Sequence, residues 1–165
     1  MHPFFARETT VPYREPLLCM ESSTFGQSRD TAWAMSQENV EIVRRLFEAW
    51  NADDMDVFRE LCDPEVIVRP AEGWAQSGPF VGREAVMRQW HRLRETFDAD
   101  AVEPISDFIE AADRVLVRQI WRGVGRGPRS NIELTNVITV RNGRIVYQEF
   151  FWDHAEALEA AGLSE

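Results

Sequence analysis

The chain of 165 residues carries 28 acidic and 18 basic side chains, and its formal net charge is −10. That balance argues against a nucleic-acid partner, because binding to phosphates needs clustered cations. All the cationic side chains are arginine, so Schiff-base catalysis by lysine and a phosphate-binding loop with a Gly-Lys-Ser/Thr motif are excluded. The length fits one domain, and a hydrophobic fraction of 44% is sufficient for a core.

Metal-binding and membrane-spanning patterns are missing from the sequence. Cys19 and Cys62 lie far apart, and His2, His91 and His154 are too scattered for a recognisable ligand set. No apolar run approaches the roughly 20 residues of a membrane-spanning helix, and the start of the chain lacks a signal-peptide pattern. We therefore expect free thiols, no metal, no organic cofactor, no membrane contact and a cytoplasmic location.

The first 34 residues differ from the rest of the chain. They contain three prolines and show no lasting helical or strand period. Ser36 is a good helix N-cap, because its hydroxyl can accept a hydrogen bond from a first-turn amide. We predict that residues 1–34 form a mostly disordered, dispensable extension and that residues 35–165 form the domain. An arm that covers a pocket is the alternative for this extension.

Three helices are expected in the first part of the domain. Residues that recur on one helical face follow Ser36 and predict the first helix, which ends near Asn51. A short second helix covers residues 55–61 and ends before Asp63-Pro64, since the residue before proline is displaced from the α region. A third helix is expected at residues 83–97. The apolar face of the first helix contains Val40, Val43, Leu46, Phe47 and Trp50.

Strands dominate the second part of the chain, and residues 71–81 read as a loop between the first strand and the third helix. Asn142-Gly143 is a strong signal for a two-residue hairpin. Asp153, with Glu156 three residues later, predicts a capped last helix that ends at Gly162. The expected strands cover residues 66–68, 101–110, 115–122, 132–141 and 144–152. Helices followed by an antiparallel meander predict an α+β fold, with helices on one face of the sheet.

This order of elements, together with five local phrases, resembles the SnoaL-like group of the nuclear transport factor 2-like superfamily. The phrases are Asn39 to Asn51, Leu61 to Val68, Phe80 to Val86, Val140 to Val146 and Trp152 to Leu163. The resemblance covers nearly all of the chain after Met35. It implies a cone-shaped, curved antiparallel sheet wrapped around the N-terminal helices, with an apolar pocket at the open end of the cone.

The resemblance also implies partners. Relatives include ketosteroid isomerases, polyketide cyclases and limonene epoxide hydrolases, beside many binders without enzymatic activity. The expected partner is therefore a small, mainly apolar molecule of steroid, polyketide or terpenoid type. Many relatives dimerise through the outer face of the sheet, so a homodimer is expected as well.

The catalytic positions of these relatives are mostly not matched. In the ketosteroid isomerase alignment, the position of the base holds Arg69, the tyrosine position holds Leu46, and the position of the protonated aspartic acid holds Asn136. An arginine cannot accept a proton, which makes isomerase activity of this type unexpected. The amide of Asn136 can still donate a hydrogen bond to a developing oxyanion.

Epoxide hydrolases of the limonene type hold a water between two carboxylates and an arginine. Arg118 aligns near the arginine, but the carboxylate positions hold Ile120 and Phe150. The acid-base aspartate of the polyketide cyclases has no convincing counterpart. His91 on the third helix is either a partly exposed residue or a general base at the pocket mouth. The candidates for a catalytic role are therefore Asn136, Arg118 and His91.

Strand alternation assigns several side chains to one face, which we expect to be the pocket. The isomerase alignment turns Gln119 and Trp121 inward, whereas the hydrolase alignment turns Arg118 inward, so the register of residues 115–122 stays open. Asn136 and Gln148 are either satisfied core amides or groups that orient a ligand. Trp74 in the loop is a candidate lid. The expected ligand-binding residues are Trp50, Arg69, Trp74, Gln119, Trp121, Asn136, Gln148 and Trp152.

Three functions are compatible with this set of residues. The first is a pocket protein that binds an apolar metabolite. The second is a cofactor-independent isomerase, cyclase or hydrolase, and the third is a dimerisation module without catalysis. A carboxylate or histidine inside the cone would favour the enzyme. The sequence places none at the expected positions, which favours binding.

Overall fold

The structure is a computed structural model that describes residues 24–125 and 127–163. Within these ranges the chain forms four helices and seven strands. The helices are α1 (Thr24–Asn51), α2 (Met55–Leu61), α3 (Arg83–Glu95) and α4 (His154–Ala160). The strands are β1 (Cys62–Arg69), β2 (Phe80–Val81), β3 (Ala99–Pro104), β4 (Ile109–Ala111), β5 (Arg114–Val124), β6 (Ser130–Arg141) and β7 (Arg144–Phe151).

The strands form one curved, mixed sheet in the order β2-β1-β7-β6-β5-β3, and β4 also pairs with β5. Every pairing is antiparallel except the one between β1 and β7, which is parallel. Parallel neighbours need a long connection, and here all the elements from β2 to β6 lie between the two strands in the chain. The predicted α+β class with a curved sheet around the N-terminal helices is confirmed.

The main core lies between the helices and the inner face of the sheet. Six of its side chains are completely excluded from solvent, namely Val43, Val66, Val115, Val117, Ile138 and Ile145. Burial of each such aliphatic side chain contributes roughly 1.5–3 kcal/mol relative to leaving it in water. The face of α1 predicted from the spacing of apolar residues is therefore the face that packs on the sheet.

The hairpin between β6 and β7 forms as expected. Asn142 and Gly143 both have positive φ angles, of 51° and 73°, and Arg141 pairs with Arg144 on either side of them. A two-residue turn with positive φ at both positions matches the right-handed twist of the flanking strands.

Helix α4 is capped as predicted and covers part of the outer face of the sheet. The carboxylate of Asp153 accepts hydrogen bonds from the backbone amides of Ala155 (2.7 Å) and Glu156 (3.1 Å). Gly162 follows the helix with a φ of 77°. A second apolar cluster then forms on this side of the sheet from Leu116, Val137, Ala157 and Ala161, with Phe151, Leu158 and Leu163 packed against it.

The start of the first helix differs from the prediction. Helix α1 begins at Thr24, so Ser36 lies inside the helix and is not its N-cap. The preference of serine for a cap is worth only about 1 kcal/mol, and the helix-favouring residues around it are enough to extend the helix. Trp33 and Met35 on this extension are 69% and 60% exposed. Residues 1–23 lie outside the described part of the chain, and the dispensability of residues 1–34 stays a prediction.

The strand expected at residues 101–110 is divided into β3 and β4. Between them the backbone amide of Ile105 donates to the carbonyl of Arg118 (2.8 Å), and the amide of Arg118 donates to the hydroxyl of Ser106 (2.9 Å). The serine side chain thus replaces one backbone partner and interrupts the ladder, a competition that serine often provides. The interruption gives the sheet two separate edge segments along β5.

Candidate functional site

A cavity opens between the helices and the inner face of the sheet. Its empty volume is about 760 Å³, counting the open solvent at its mouth. Four tryptophans contribute to its wall, namely Trp50, Trp74, Trp90 and Trp121, together with smaller apolar residues from both layers. Its polar groups are four amide side chains, Gln89, Gln119, Asn136 and Gln148. Among the described residues, none of the side chains that line the cavity is charged.

Aromatic side chains of the cavity wall connect helices α1 and α3 to the sheet. Trp50 at the end of α1 meets Trp90 of α3 edge to face, with ring centroids 5.7 Å apart. Trp90 meets Phe150 of β7 in the same manner at 6.1 Å. Edge-to-face pairs are favourable because the positive edge of one ring meets the negative face of the other. These contacts fix the width of the cavity.

Three of the four amides lie on adjacent strands. Gln119, Asn136 and Gln148 come from β5, β6 and β7, and each is 6% exposed or less. The Nδ2 of Asn136 donates to the Oε1 of Gln119 at 3.2 Å, whereas the Oδ1 of Asn136 is buried without a partner among the described residues. Asn136 therefore presents an acceptor without a partner among the described residues, beside an amide nitrogen that already donates to Gln119.

The register of β5 is settled by its pairing with β6. Val117 lies opposite Asn136, and Gln119 lies opposite Leu134. Because successive side chains of a strand point to opposite faces, Gln119 and Trp121 face the cavity. Arg118 lies on the outer face and pairs with Glu133, so the hydrolase-style register and a catalytic role inside the cavity are wrong for Arg118.

Arg69 also lies on the outer face. It alternates with the buried Val68 on β1, and its Nε donates to the hydroxyl of Tyr147 at 3.0 Å. Glu149 completes the group, with an oxygen 3.7 Å from Arg69. These neighbours raise the pKa of Arg69 through the hydrogen bond to Tyr147 and the charge of Glu149. The expected contact of Arg69 with a ligand in the cavity is therefore not present.

Two further predicted site residues lie outside the cavity wall. His91 is exposed on α3 and is not among the residues that line the cavity. Trp152 follows the end of β7 and is 51% exposed, with its indole N–H donating to the carbonyl of Glu72 at 2.7 Å. Its ring stacks on Trp74 with centroids 5.6 Å apart. Trp152 thus supports the loop residue Trp74 from behind and is not itself in the wall.

Three residues near the cavity were missed in the sequence. Gln89 lies between Val86 and Trp90 on the buried stripe of α3, and a polar residue at a buried helical position was the available signal. Trp90 was not among the expected ligand-binding residues, yet it lines the cavity, and its indole N–H is buried without a partner among the described residues. No sequence pattern pointed to Asp100, because the expected strand began at residue 101.

The described residues contribute neither a reactive thiol nor a metal-binding cluster to this site. Burial raises the pKa of the Cys62 thiol to about 12, so this thiol stays protonated near neutral pH and is a poor nucleophile. Within residues 24–125 and 127–163, no three histidine, cysteine, aspartate or glutamate side chains gather in a metal-binding arrangement. None of the helices in these ranges is long and apolar enough to span a membrane.

The curved sheet, the helices inside it and the uncharged cavity together define a cone-shaped pocket protein of the nuclear transport factor 2-like fold. The sequence profile of the SnoaL-like domain matches residues 43–148, which is more than half of the chain. The chain belongs to the family of SnoaL-like domains. This finding confirms the family that the local phrases resembled.

Solved structures of similar fold come from several sources. Bal32a, from a soil-derived mobile gene cassette, is 24% identical with a TM-score of 0.65, over 70% of this chain and 88% of its own. A protein from Sinorhizobium meliloti named as a candidate polyketide cyclase is 27% identical with a TM-score of 0.57, over 67% and 93%. TerC, co-crystallised with polyporic acid, is 19% identical with a TM-score of 0.63, over 76% and 98%. No curated protein sequence matches the chain.

Proposed function

We propose that the protein binds a small, neutral and mainly apolar molecule in the cavity, and that the ligand carries a hydroxyl or similar donor. The observation that carries this proposal is the buried Oδ1 of Asn136, which has no partner among the described residues and lies in a wall whose described side chains are uncharged. A buried acceptor without a partner costs about 1–3 kcal/mol, and a ligand donor would recover that energy. Apolar sites with a few polar groups commonly fix ligand orientation in this way.

The relatives support a ligand of polyketide or similar type. One of them is named as a candidate polyketide cyclase, and another was crystallised with polyporic acid. We therefore place steroid-, polyketide- and terpenoid-like ring compounds with a hydroxyl group first among the ligand classes. The cytoplasmic location remains a prediction from the sequence.

A cofactor-independent cyclase, isomerase or hydrolase is the second candidate, and the name of the Sinorhizobium meliloti relative favours it. Such an enzyme would have to stabilise charge in the reacting ligand with the amides of Gln119, Asn136 and Gln148, since the described wall offers no carboxylate or histidine. Conversion of a bound ligand, followed by mass spectrometry, separates this candidate from a binder. A module that serves dimerisation alone predicts no binding at all.

Replacement of Asn136 by leucine tests the binding proposal. We expect Asn136→Leu to weaken binding of 2-naphthol by about 1–3 kcal/mol, because the hydroxyl of the ligand loses the Oδ1 of Asn136 as its acceptor. Binding of naphthalene, which has no hydroxyl, should change little. Isothermal titration calorimetry measures both affinities, and circular dichroism checks the fold.

The matched control is Thr139→Val on the same strand. Thr139 is 6% exposed and lies on the opposite face of β6, so its replacement changes a buried polar group without touching the cavity. This variant should bind 2-naphthol as the unmodified protein does. An Asn136→Leu variant that folds and keeps the full affinity for 2-naphthol would show that this amide is structural.

We propose further that the protein is a homodimer whose contact uses the outer face of β5 and β6. Arg118 and Glu133 form an ion pair on that face, and Ile120 lies between Arg118 and Arg122 along the strand. The residues under α4 are already covered within the chain, so the contact should centre on Ile120. Sedimentation at micromolar protein should give about twice the chain mass of 19.1 kDa, and Ile120→Arg should shift it to the monomer. A monomer of the unmodified protein would exclude the dimer.

A further inference from the structure

A buried carboxylate stands directly behind the cavity wall. The side chain of Asp100 on β3 is 4% exposed, and its Oδ2 accepts hydrogen bonds from the indole N–H groups of Trp50 (2.8 Å) and Trp121 (3.1 Å). Asp100 lies opposite Gly123 in the pairing of β3 with β5. Since Asp100 is outside the cavity wall and both tryptophans are in it, one oxygen atom holds two wall residues from behind.

The two tryptophans belong to different layers of the fold. Trp50 ends α1, and Trp121 belongs to β5, so Asp100 couples the helix to the sheet at this end of the cavity. Both indole N–H groups are directed at Asp100, and the cavity therefore receives the apolar surfaces of these rings. Trp90, a third tryptophan of the cavity wall, differs from these two because its indole N–H has no partner among the described residues.

Arg94 completes this arrangement on the side of Trp50. Its guanidinium lies 3.5 Å from Asp100 and 4.7 Å from the centroid of the Trp50 ring, and it donates to the backbone carbonyl of Trp50 at 2.9 Å. A buried carboxylate needs such compensation, because an unpaired buried charge is strongly destabilising. On the side of Trp121, the ring of Phe97 meets the indole edge to face at 4.6 Å. Each ring is thus held at its N–H and on one surface.

We propose that Asp100 is a positioning residue, which fixes the rings of Trp50 and Trp121 and thereby makes the cavity prefer rigid ring ligands to flexible chains. This inference rests on the proposed binding function. A wall that is already ordered loses little side-chain entropy on binding, and this advantage is largest for a ligand that is itself rigid. A mobile wall could adapt to a flexible chain and would lose the preference.

The positioning is tested first in the ligand-free protein by NMR. Each of the six tryptophans gives one indole N–H signal, and the signals of interest are assigned with Trp50→Phe and Trp121→Phe. In Asp100→Leu these two N–H groups should exchange with solvent about tenfold faster or more, as expected when a hydrogen bond to a charged group is lost. The indole N–H of Trp152, which donates to the carbonyl of Glu72, should keep its exchange rate. Unchanged signals of Trp50 and Trp121 in a folded variant would overturn the proposal.

Asp100→Asn keeps the test decisive if the leucine variant does not fold. The side-chain amide of this variant has only one acceptor oxygen. If that oxygen accepts from the two indoles, the amide nitrogen faces Arg94, and two donor groups then oppose each other. We expect an intermediate loss of protection for Trp50 and Trp121. Asp98→Asn, an exposed carboxylate two residues away, is the control for the change in charge and should leave both signals unchanged.

The preference for rigid ligands is tested with 2-naphthol and 1-nonanol, two neutral alcohols. Asp100→Leu should weaken binding of 2-naphthol about tenfold and that of 1-nonanol much less. Equal losses for the two alcohols would overturn the selectivity and leave Asp100 with a purely structural role. If the unmodified protein binds neither alcohol, the proposed function and the selectivity fail together, whereas the NMR measurement still decides whether Asp100 positions the two rings.

Discussion

2-Naphthol should bind at least about 100-fold more tightly than 2-naphthoate, which carries a carboxylate in place of the hydroxyl. The described side chains that line the cavity are uncharged, and the buried carboxylate of Asp100 behind the wall has the same sign as the carboxylate of 2-naphthoate. Even after relaxation, transfer of an ion into such a site costs several kcal/mol, and ~2.7 kcal/mol already corresponds to 100-fold. Isothermal titration calorimetry at neutral pH measures the two affinities side by side.

A cation introduced into the wall provides the control for this charge selectivity. Gln89 lines the cavity from α3 and is 6% exposed, and Gln89→Lys places an ammonium group on a side chain of similar length. This variant should bind 2-naphthoate more tightly than the unmodified protein does, and 2-naphthol less tightly. Equal affinities of the unmodified protein for the two compounds would mean that the ligand's polar end stays in solvent, and that the amides of the wall do not contact it.

Leu116→Ala should lower the free energy of unfolding by about 2–5 kcal/mol, the range measured when a large aliphatic side chain leaves a cavity in a core. Leu116 is completely buried on the outer face of β5, where it packs with Ala157 of α4 and with Ala161 at the C-cap of that helix. The side chain is therefore covered within one chain, and the loss should not depend on protein concentration. Urea unfolding at two protein concentrations measures both quantities.

Ile120→Ala is the matched control for Leu116→Ala. Ile120 lies four residues further along the same face of β5, beyond the cluster covered by α4, and is only partly buried. Its replacement should cost about 1 kcal/mol or less in the monomer, as expected of a residue with partial exposure, and in the proposed dimer this cost should depend on protein concentration, unlike that of Leu116→Ala. If the cost of Leu116→Ala rises with protein concentration, the cover of this residue is supplied by a partner chain instead of α4.

Local elements of the fold were determined by short stretches of sequence. Asn142 and Gly143 are residues that tolerate positive φ, and a hairpin forms at that place. Asp153 supplies its own side chain as a cap, so the start of α4 needs no distant partner. Ser36 shows the limit of this kind of argument, because a cap residue is also tolerated inside a helix when its neighbours favour the helix.

Strand alternation predicted part of the cavity wall. Gln119, Trp121, Asn136, Gln148 and Trp152 were assigned to one face; the first four line the cavity, whereas Trp152 lies outside its wall. The alternation has a period of two, so it groups residues within a strand but does not say which group faces the helices. For the same reason, the sequence did not decide which face of β5 carries Arg118. The pairing of β5 with β6 places Arg118 beside Glu133 on the outer face.

The sequence by itself therefore determined the family, the bounds of α2, the cap of α4, the hairpin between β6 and β7 and the alternation of each strand, since these depend on residues close in the chain. Tertiary structure alone decided the remainder of the site. The contact of Asp100 with Trp50 and Trp121 joins residues 50 and 21 positions apart. The lack of a partner for the Asn136 oxygen among the described residues depends on what the surrounding helices and strands leave empty around it. Both follow from packing in three dimensions, which no local pattern encodes.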